Sequence, residues 1–381
     1  MTTVAALYCH IPFCHGICPF CAFAVHKDRR RLHRPYLDAL RREIALVGAA
    51  HGGGPPLGSL YVGGGTPSTL APGEVVELLE WMRRHLPLAP DAEVAFEVNP
   101  EDARPDYLAA LKQAGVTRVS LGVQSLEDRT LQALGRGHSA AQAQAGLLAL
   151  RLAGLVNHNA DLMFGAPGVG GEDFQHDVQR IAALKPPHLS LYGLDVEERT
   201  LFGRSPAVRA WEADHREDQC EQFLWAAHHL TTAGYRHYEV SNFCLPGYEG
   251  RQNLIVWRGD NYLGLGLGAH SYGDGERWHN ERHLTAYLRA LEQNRLPIAG
   301  RERLSPAQQA NEHLMLALRQ DTGLEVAEWE ARWGFPWDAR RQELARRLED
   351  EGKAFYAGSR LRLTPRGFVI ADGITEGLMV E

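Results

Sequence analysis

Three cysteines stand close together in Tyr8-Cys9-His10-Ile11-Pro12-Phe13-Cys14-His15-Gly16-Ile17-Cys18-Pro19-Phe20-Cys21. Cys14, Cys18 and Cys21 have the spacing C-x3-C-x2-C. Three thiolates on one tight loop can hold three irons of a [4Fe–4S] cluster. The fourth iron then has no protein ligand from that loop, and a small molecule can bind there. An open coordination position separates a reactive metal site from a closed structural one.

Other uses of these cysteines are more ordinary. A structural zinc site shows paired Cys or Cys/His knuckles, and the second pair is missing, although His10 and His15 could complete a tetrad. Six cysteines in 381 residues do not suggest a disulfide scaffold. Cys9 lies outside the spacing and reads as a small buried side chain on a strand. Cys220 and Cys244 receive no role.

The cysteine loop needs a scaffold, and the first ~200 residues supply one by alternating short β-like runs with amphipathic helices. The runs are Ala6–Ile11, Ser59–Val62, Glu93–Val98, Arg118–Val123, Asn159–Phe164 and His188–Leu194. Helical spacing of apolar residues marks Pro35–Ala49, Gly73–Leu86 and Glu172–Leu184. Repeated strand–helix units imply a parallel sheet. The class is α/β, and six units in a row fit a partial (β/α)6 barrel, with a doubly wound open sheet as the alternative. In both, ligands gather at the C-terminal ends of the strands. The polar and glycine-rich segments fall there: the cysteine loop, Gly63-Gly64-Gly65-Thr66-Pro67, Asn99-Pro100-Glu101, Gln124-Ser125 and Gly165-Ala166-Pro167-Gly168. Residues distant in sequence thereby converge on one rim.

From about Arg301 the pattern changes. Helices over Pro306–Arg319, Leu324–Trp333 and Asp338–Glu351 precede a hairpin of Ala354–Tyr356 and Leu361–Leu363. The expected division is residues 1–300 and a small helical, winged-helix-like domain over 301–381, which caps the barrel or holds a partner. Gly264-Leu265-Gly266-Leu267-Gly268-Ala269-His270 is too rich in glycine for a regular element, and suits close approach to a ligand or a tight crossover.

Net charge of −7 gives no global basic field, so nucleic acid is not expected as a partner. The basic run Lys27–Arg34 reads as a solvated helix start, with contact to an anionic ligand or membrane headgroups as the alternative. No signal peptide opens the chain and no stretch of 18 apolar residues occurs, so a cytoplasmic protein is expected.

The cysteine loop with His10-Ile11-Pro12-Phe13, the Gly63–Pro67 segment and Gly264–Ser271 together resemble the radical S-adenosylmethionine (SAM) superfamily. The branch they resemble contains the oxygen-independent coproporphyrinogen III oxidases and the HemW-type haem chaperones. The resemblance runs from Tyr8 to about Ser271. It implies a [4Fe–4S] cluster on Cys14, Cys18 and Cys21, with Tyr8 and Phe20 beside it. It also implies SAM contacts at Gly64, Gly65, Thr66, Glu97, Gln124, Arg136 and Asp161. Carboxylates suit the ammonium and ribose hydroxyls of SAM, and an arginine suits its carboxylate.

Three departures choose between the two relatives. The oxidases carry a further cysteine two residues after the third, where this chain has Phe23. They also carry an N-terminal arm, whereas the first ligand here is already residue 14, so no arm is expected over the cavity. Both differences favour the chaperone group: binding of haem, delivery to an apo-haemoprotein, and a peripheral contact with the inner membrane face. The alternative is a radical SAM oxidoreductase acting on a porphyrinogen or another substrate. The third departure runs the other way. Chaperone-type sequences carry His-Asn-x-x-Tyr-Trp where this chain has Gln252-Asn253-Leu254-Ile255-Val256-Trp257. An amide is a poor iron ligand, so the expected haem ligand becomes His270.

Overall fold

The structure, a computed structural model, describes residues 4–381. Six buried runs form the parallel strands β1 (Ala6–Ile11), β2 (Leu57–Gly64), β3 (Leu88–Val98), β4 (Arg118–Gln124), β5 (His158–Phe164) and β6 (His188–Gly193). Their near-continuous apolar character is that of strands covered on both faces. Three helices that the apolar spacing predicts are present: α1 (Arg30–His51), α2 (Pro72–His85) and, after β5, the helix Gly171–Leu184. Pro35 sits one turn into α1, so that helix starts five residues earlier than the apolar spacing marks.

The sheet extends further than the six units. Beyond β6 lie β7 (Arg236–Glu239) and β8 (Asn242–Cys244). On the other flank are β9 (Tyr262–Leu265), β10 (His270–Gly273), β11 (Glu276–Asn280) and β12 (Ile298–Arg303). The order is β12-β11-β10-β9-β1-β2-β3-β4-β5-β6-β8-β7, an open sheet. Six adjacent flat strands would span roughly 24 Å at ~4.8 Å per step. Yet β1 to β6 all contribute to one cavity, so the sheet curves around it as a partial barrel.

The glycine-rich segment therefore corrects the expectation of irregular backbone. Tyr262–Leu265 pairs in parallel with β1, and His270 opens the returning strand β10. Gly264 carries no side chain because a Cβ there would collide with the backbone oxygen of His270. Only residues 266–269 lie outside the ladder. The buried carboxylate of Glu43 on α1 fastens this loop. It accepts from the Gly266 amide (2.8 Å), the Tyr287 hydroxyl (2.6 Å) and the Asn280 side chain (2.5 Å).

Part of the basic run is met within the protein. His33 bonds Asp28 at 2.6 Å, Arg34 meets Asp38 at 3.1 Å and Arg30 approaches Glu74 at 3.8 Å. Among the described residues no helix is long and apolar enough to cross a membrane.

After β12, helices Pro306–Ala317, Val326–Trp333 and Ala339–Asp350 carry a three-stranded sheet. It consists of β13 (Leu324–Glu325), β14 (Ala354–Ala357) and β15 (Arg360–Leu363). Leu324 and Glu325 pair with β15, so the helix expected from Leu324 begins at Val326. The arrangement is winged-helix-like. It docks on the sheet edge: the Val240 amide donates to Arg319 O, the Asp321 amide to Tyr238 O, and Arg236 pairs with Asp321 at 2.7 Å. It does not cap the barrel mouth, because the cavity there is lined by no residue beyond Tyr192.

Candidate functional site

A cavity of about 740 Å³ opens at the C-terminal ends of the six strands. Tyr8, Cys14, Cys18, Phe20, Cys21, Gly64, Gly65, Thr66, Glu97, Gln124, Arg136 and Asp161 all line it. The three cysteines are free thiols. Burial pushes the Cys14 thiol up to about 11, and the neighbouring Cys21 and Cys18 raise it further against a bond from Thr66. Cys21 is raised too, again by burial first. Raised thiols such as Cys14 and Cys21 give up their protons readily when a cation such as iron binds.

The histidines that could have made a zinc tetrad are engaged elsewhere. His10 Nε2 donates to Ala24 O at 2.9 Å, so its Nδ1 accepts from the Tyr8 hydroxyl at 3.0 Å. His15 Nε2 bonds Asp102 at 2.9 Å, and Ser68 donates to the same carboxylate at 2.7 Å. This pair ties the cysteine loop to the segment after β3. Among the described residues no three Cys, His, Asp or Glu side chains gather at single-ion distance.

The glycine segment needs its glycines for packing. A Cβ on Gly64 would enter the His10 ring, and one on Gly65 would lie 2.8 Å from Phe13 O. Its amides are also spent: Gly64 N–H donates to Glu97 (3.1 Å), Gly65 to Ile11 O (2.8 Å) and Thr66 to Phe13 O (2.7 Å). The Thr66 carbonyl is spent as well, accepting from the Thr69 amide (3.0 Å) and hydroxyl (2.8 Å). Any carbonyl left open toward the cavity at Gly64 or Gly65 suits an ammonium group rather than an anion.

Glu97 opens on the cavity but is ringed by protein, and this desolvation pushes its carboxyl up to about 7. Asp161 adds to that rise, while the Tyr61 hydroxyl (2.8 Å) and the Gly64 amide oppose it. Burial also raises Asp161, which accepts from Asn159 at 2.6 Å and Ser120 at 3.1 Å. Gln124 sits at a break in the β4–β5 register with φ of 63°, in a region that side-chain-bearing residues seldom occupy. Its Oε1 is buried without a donor. Arg136 donates to Cys18 Sγ at 3.2 Å and to Asn99 Oδ1 at 3.1 Å, leaving a buried Nε without a partner. Unsatisfied buried polar atoms that converge on one space are what a polar ligand would satisfy.

His270 is not in this cavity. It lines a second one of about 470 Å³, with Gln252, Asn253, Val256, Tyr262 and Arg282. Tyr8, Phe23 and Tyr61 face both. Phe23, at the position of the oxidases' extra cysteine, is 72% exposed. Burial lowers the His270 pKa, helped by His279 and Arg282, so its imidazole is neutral at pH 7. Gln252 is 7% exposed, and its Oε1 has no donor.

Sequence reasoning missed Tyr61, Glu43 and Arg282, and put Asn99 on the rim without giving it a role. A signal existed for Glu43, three residues from Leu40 and one from Ile44 on the apolar side of α1. None existed for Arg282, which enters its cavity only through tertiary packing.

The sequence matches the Radical SAM superfamily over residues 8–181 and the HemN C-terminal domain over residues 304–370. A "Heme chaperone HemW" of Mycobacterium tuberculosis is 37% identical over 384 residues, covering 98% of this chain and 94% of that one. The "Heme chaperone HemW" of Escherichia coli is 38% identical over 299 residues, covering 76% and 78%. The fold is similar to that of the coproporphyrinogen III oxidase HemN from Escherichia coli, with TM-score 0.85 and 23% identity, covering 100% of this chain and 91% of that one. The chain belongs to the radical SAM superfamily, in its HemW-type branch.

Proposed function

We propose that this protein is a haem chaperone that keeps its cofactors and its cargo in adjoining cavities. Cys14, Cys18 and Cys21 hold a [4Fe–4S] cluster in the first. The backbone at Gly64 and Gly65, beside Thr66, receives the SAM ammonium, Arg136 meets its carboxylate, and Glu97, Gln124 and Asp161 take its remaining polar groups. Tyr8 and Phe20 wall the cluster. When bound together, the cluster and SAM supply one-electron reductive cleavage of SAM. The chain's part is to orient them and to keep Glu97 and Asp161 in a desolvated setting.

Haem lies in the second cavity, with His270 as an iron ligand in place of the motif histidine that Gln252 replaces. It passes from there to an apo-haemoprotein in the cytoplasm or at the inner membrane face. Residues 1–300 hold cofactors and cargo, and residues 301–381 brace the sheet edge. The observation that carries the reading is the second cavity itself. Its volume falls in the range that encloses small-molecule ligands, about 300–1,000 Å³, and a neutral histidine lines it.

Haem titration of protein with a reconstituted cluster tests this. One haem per chain with a shifted Soret band is expected, and His270→Ala should lose it. A wild type that shifts no Soret band ends the chaperone reading. Multiple-turnover release of 5′-deoxyadenosine with a porphyrinogen would favour the oxidoreductase instead.

A further inference from the structure

We propose that Arg282 anchors a carboxylate of the molecule in the second cavity, which for haem is a propionate; this rests on the chaperone reading above.

No Asp or Glu lines this cavity, whereas Glu97, Glu101 and Asp161 line the first. Arg282 brings a full positive charge to an otherwise uncharged wall. Among the described residues no carboxylate lies within ion-pair distance of it; its one hydrogen bond runs from Nη2 to Ala22 O at 3.2 Å. Three other arginines on this flank are ion-paired. Arg277 pairs with Glu302 and Glu312, Arg301 with Glu276, and Arg258 with Asp260. An exposed guanidinium with free N–H groups on an aromatic-walled cavity is a two-point receptor for a carboxylate.

The anchor is held in place from behind. Arg282 follows β11 by two residues, and the preceding Glu281 exchanges backbone bonds with Gly268 and Pro297 (both 2.8 Å). Its side-chain stem passes Gly268, where a Cβ would lie 3.6 Å from Arg282 Cγ. Asn280 and Tyr287, on either side of it in sequence, both bond Glu43. The walls suit the rest of such a molecule, since Tyr8, Phe23, Tyr61 and Tyr262 present aromatic surface. The buried, undonated Gln252 Oε1 is an independent sign that the cavity takes a ligand. Together these features select a flat, largely apolar molecule with a charged carboxylate edge at the rim.

The test crosses the arginine with the carboxylate. Haem and haem dimethyl ester are titrated against wild type, Arg282→Gln and Arg282→Lys, all with reconstituted cluster. The expected result is about tenfold weaker haem binding by Arg282→Gln, partial recovery in Arg282→Lys, and equal binding of the ester by wild type and Arg282→Gln. Unchanged haem binding by Arg282→Gln overturns the anchor and leaves the chaperone reading standing. Equal losses of haem and ester also overturn it, because a lost fold or cavity shape moves both. A wild type that binds neither ligand overturns both readings together.

Discussion

Two cavities meet across Tyr8, Phe23 and Tyr61, and their linings carry opposite charge. The first is built by the ends of six parallel strands and presents Glu97, Glu101 and Asp161 with Arg136. The second is built by the helix Arg251–Trp257, the segment 268–270 and Arg282, and presents two histidines, amides and one arginine. SAM carries a sulfonium and an ammonium against one carboxylate, while haem carries two carboxylates at its edge. On the proposed function, the acidic lining suits the SAM cation and the arginine of the other suits a haem carboxylate. A fold similar to that of an oxidase does not by itself fix the task, which is argued from the two linings.

Breaking the cofactor side should have the largest effect. Cys18→Ser is expected to lose the cluster, with iron per chain falling at least tenfold after anaerobic reconstitution, and to lose the SAM-dependent spectral change. Its haem titration should stay within about threefold of wild type if the cavities act separately; a parallel collapse would merge them.

His270→Ala comes next. Loss of a direct iron ligand should weaken haem binding by about a hundredfold, roughly 2.7 kcal/mol. SAM affinity, measured by calorimetry on the same variant, should not move.

Glu97→Gln should weaken SAM about tenfold, the scale of one hydrogen bond to a charged group. The pH dependence carries more information. The free carboxyl ionises near 7, and only its charged form attracts the SAM cation. Wild-type affinity should therefore rise as pH increases from 6 to 8, with its midpoint near 7 and a plateau above about 8, while Glu97→Gln lacks that rise. A falling wild-type curve would contradict the role of Glu97.

Tyr61→Phe should have the smallest effect. It removes a 2.8 Å bond that favours the charged Glu97. The midpoint of the SAM pH profile should move to higher pH, with affinity at pH 7 lower by about two- to fivefold.

The two cavities also differ in how far they are legible in sequence. The rim of the first is legible in the residues, because the cysteine loop and the segments after β2, β3, β4 and β5 each follow a strand that a buried apolar run announces, whereas Glu97, Arg136 and Asp161 are named only by the family resemblance. Ala6–Ile11 is observed at the expected bounds. The second is assembled by tertiary contact between residues as far apart as Tyr8 and Arg282. Its strands β9 and β10 hide behind glycines that are there because the chain doubles back on itself at Gly264. Phe23 and Gln252 stand out as departures from a motif and His270 closes the glycine-rich segment, but nothing local shows that they share one wall. The helix Ala140–Leu152 is masked for another reason: Leu148 and Leu152 are exposed, so no single apolar stripe marks it.

Simultaneous occupancy tests the separation of the two sites most directly. Haem is titrated into cluster-reconstituted wild type with and without saturating SAM, and the Soret shift gives stoichiometry and affinity. Separate cavities predict one haem per chain in both titrations, with dissociation constants within about threefold. Displacement of haem by SAM would contradict them and place both molecules in a single site.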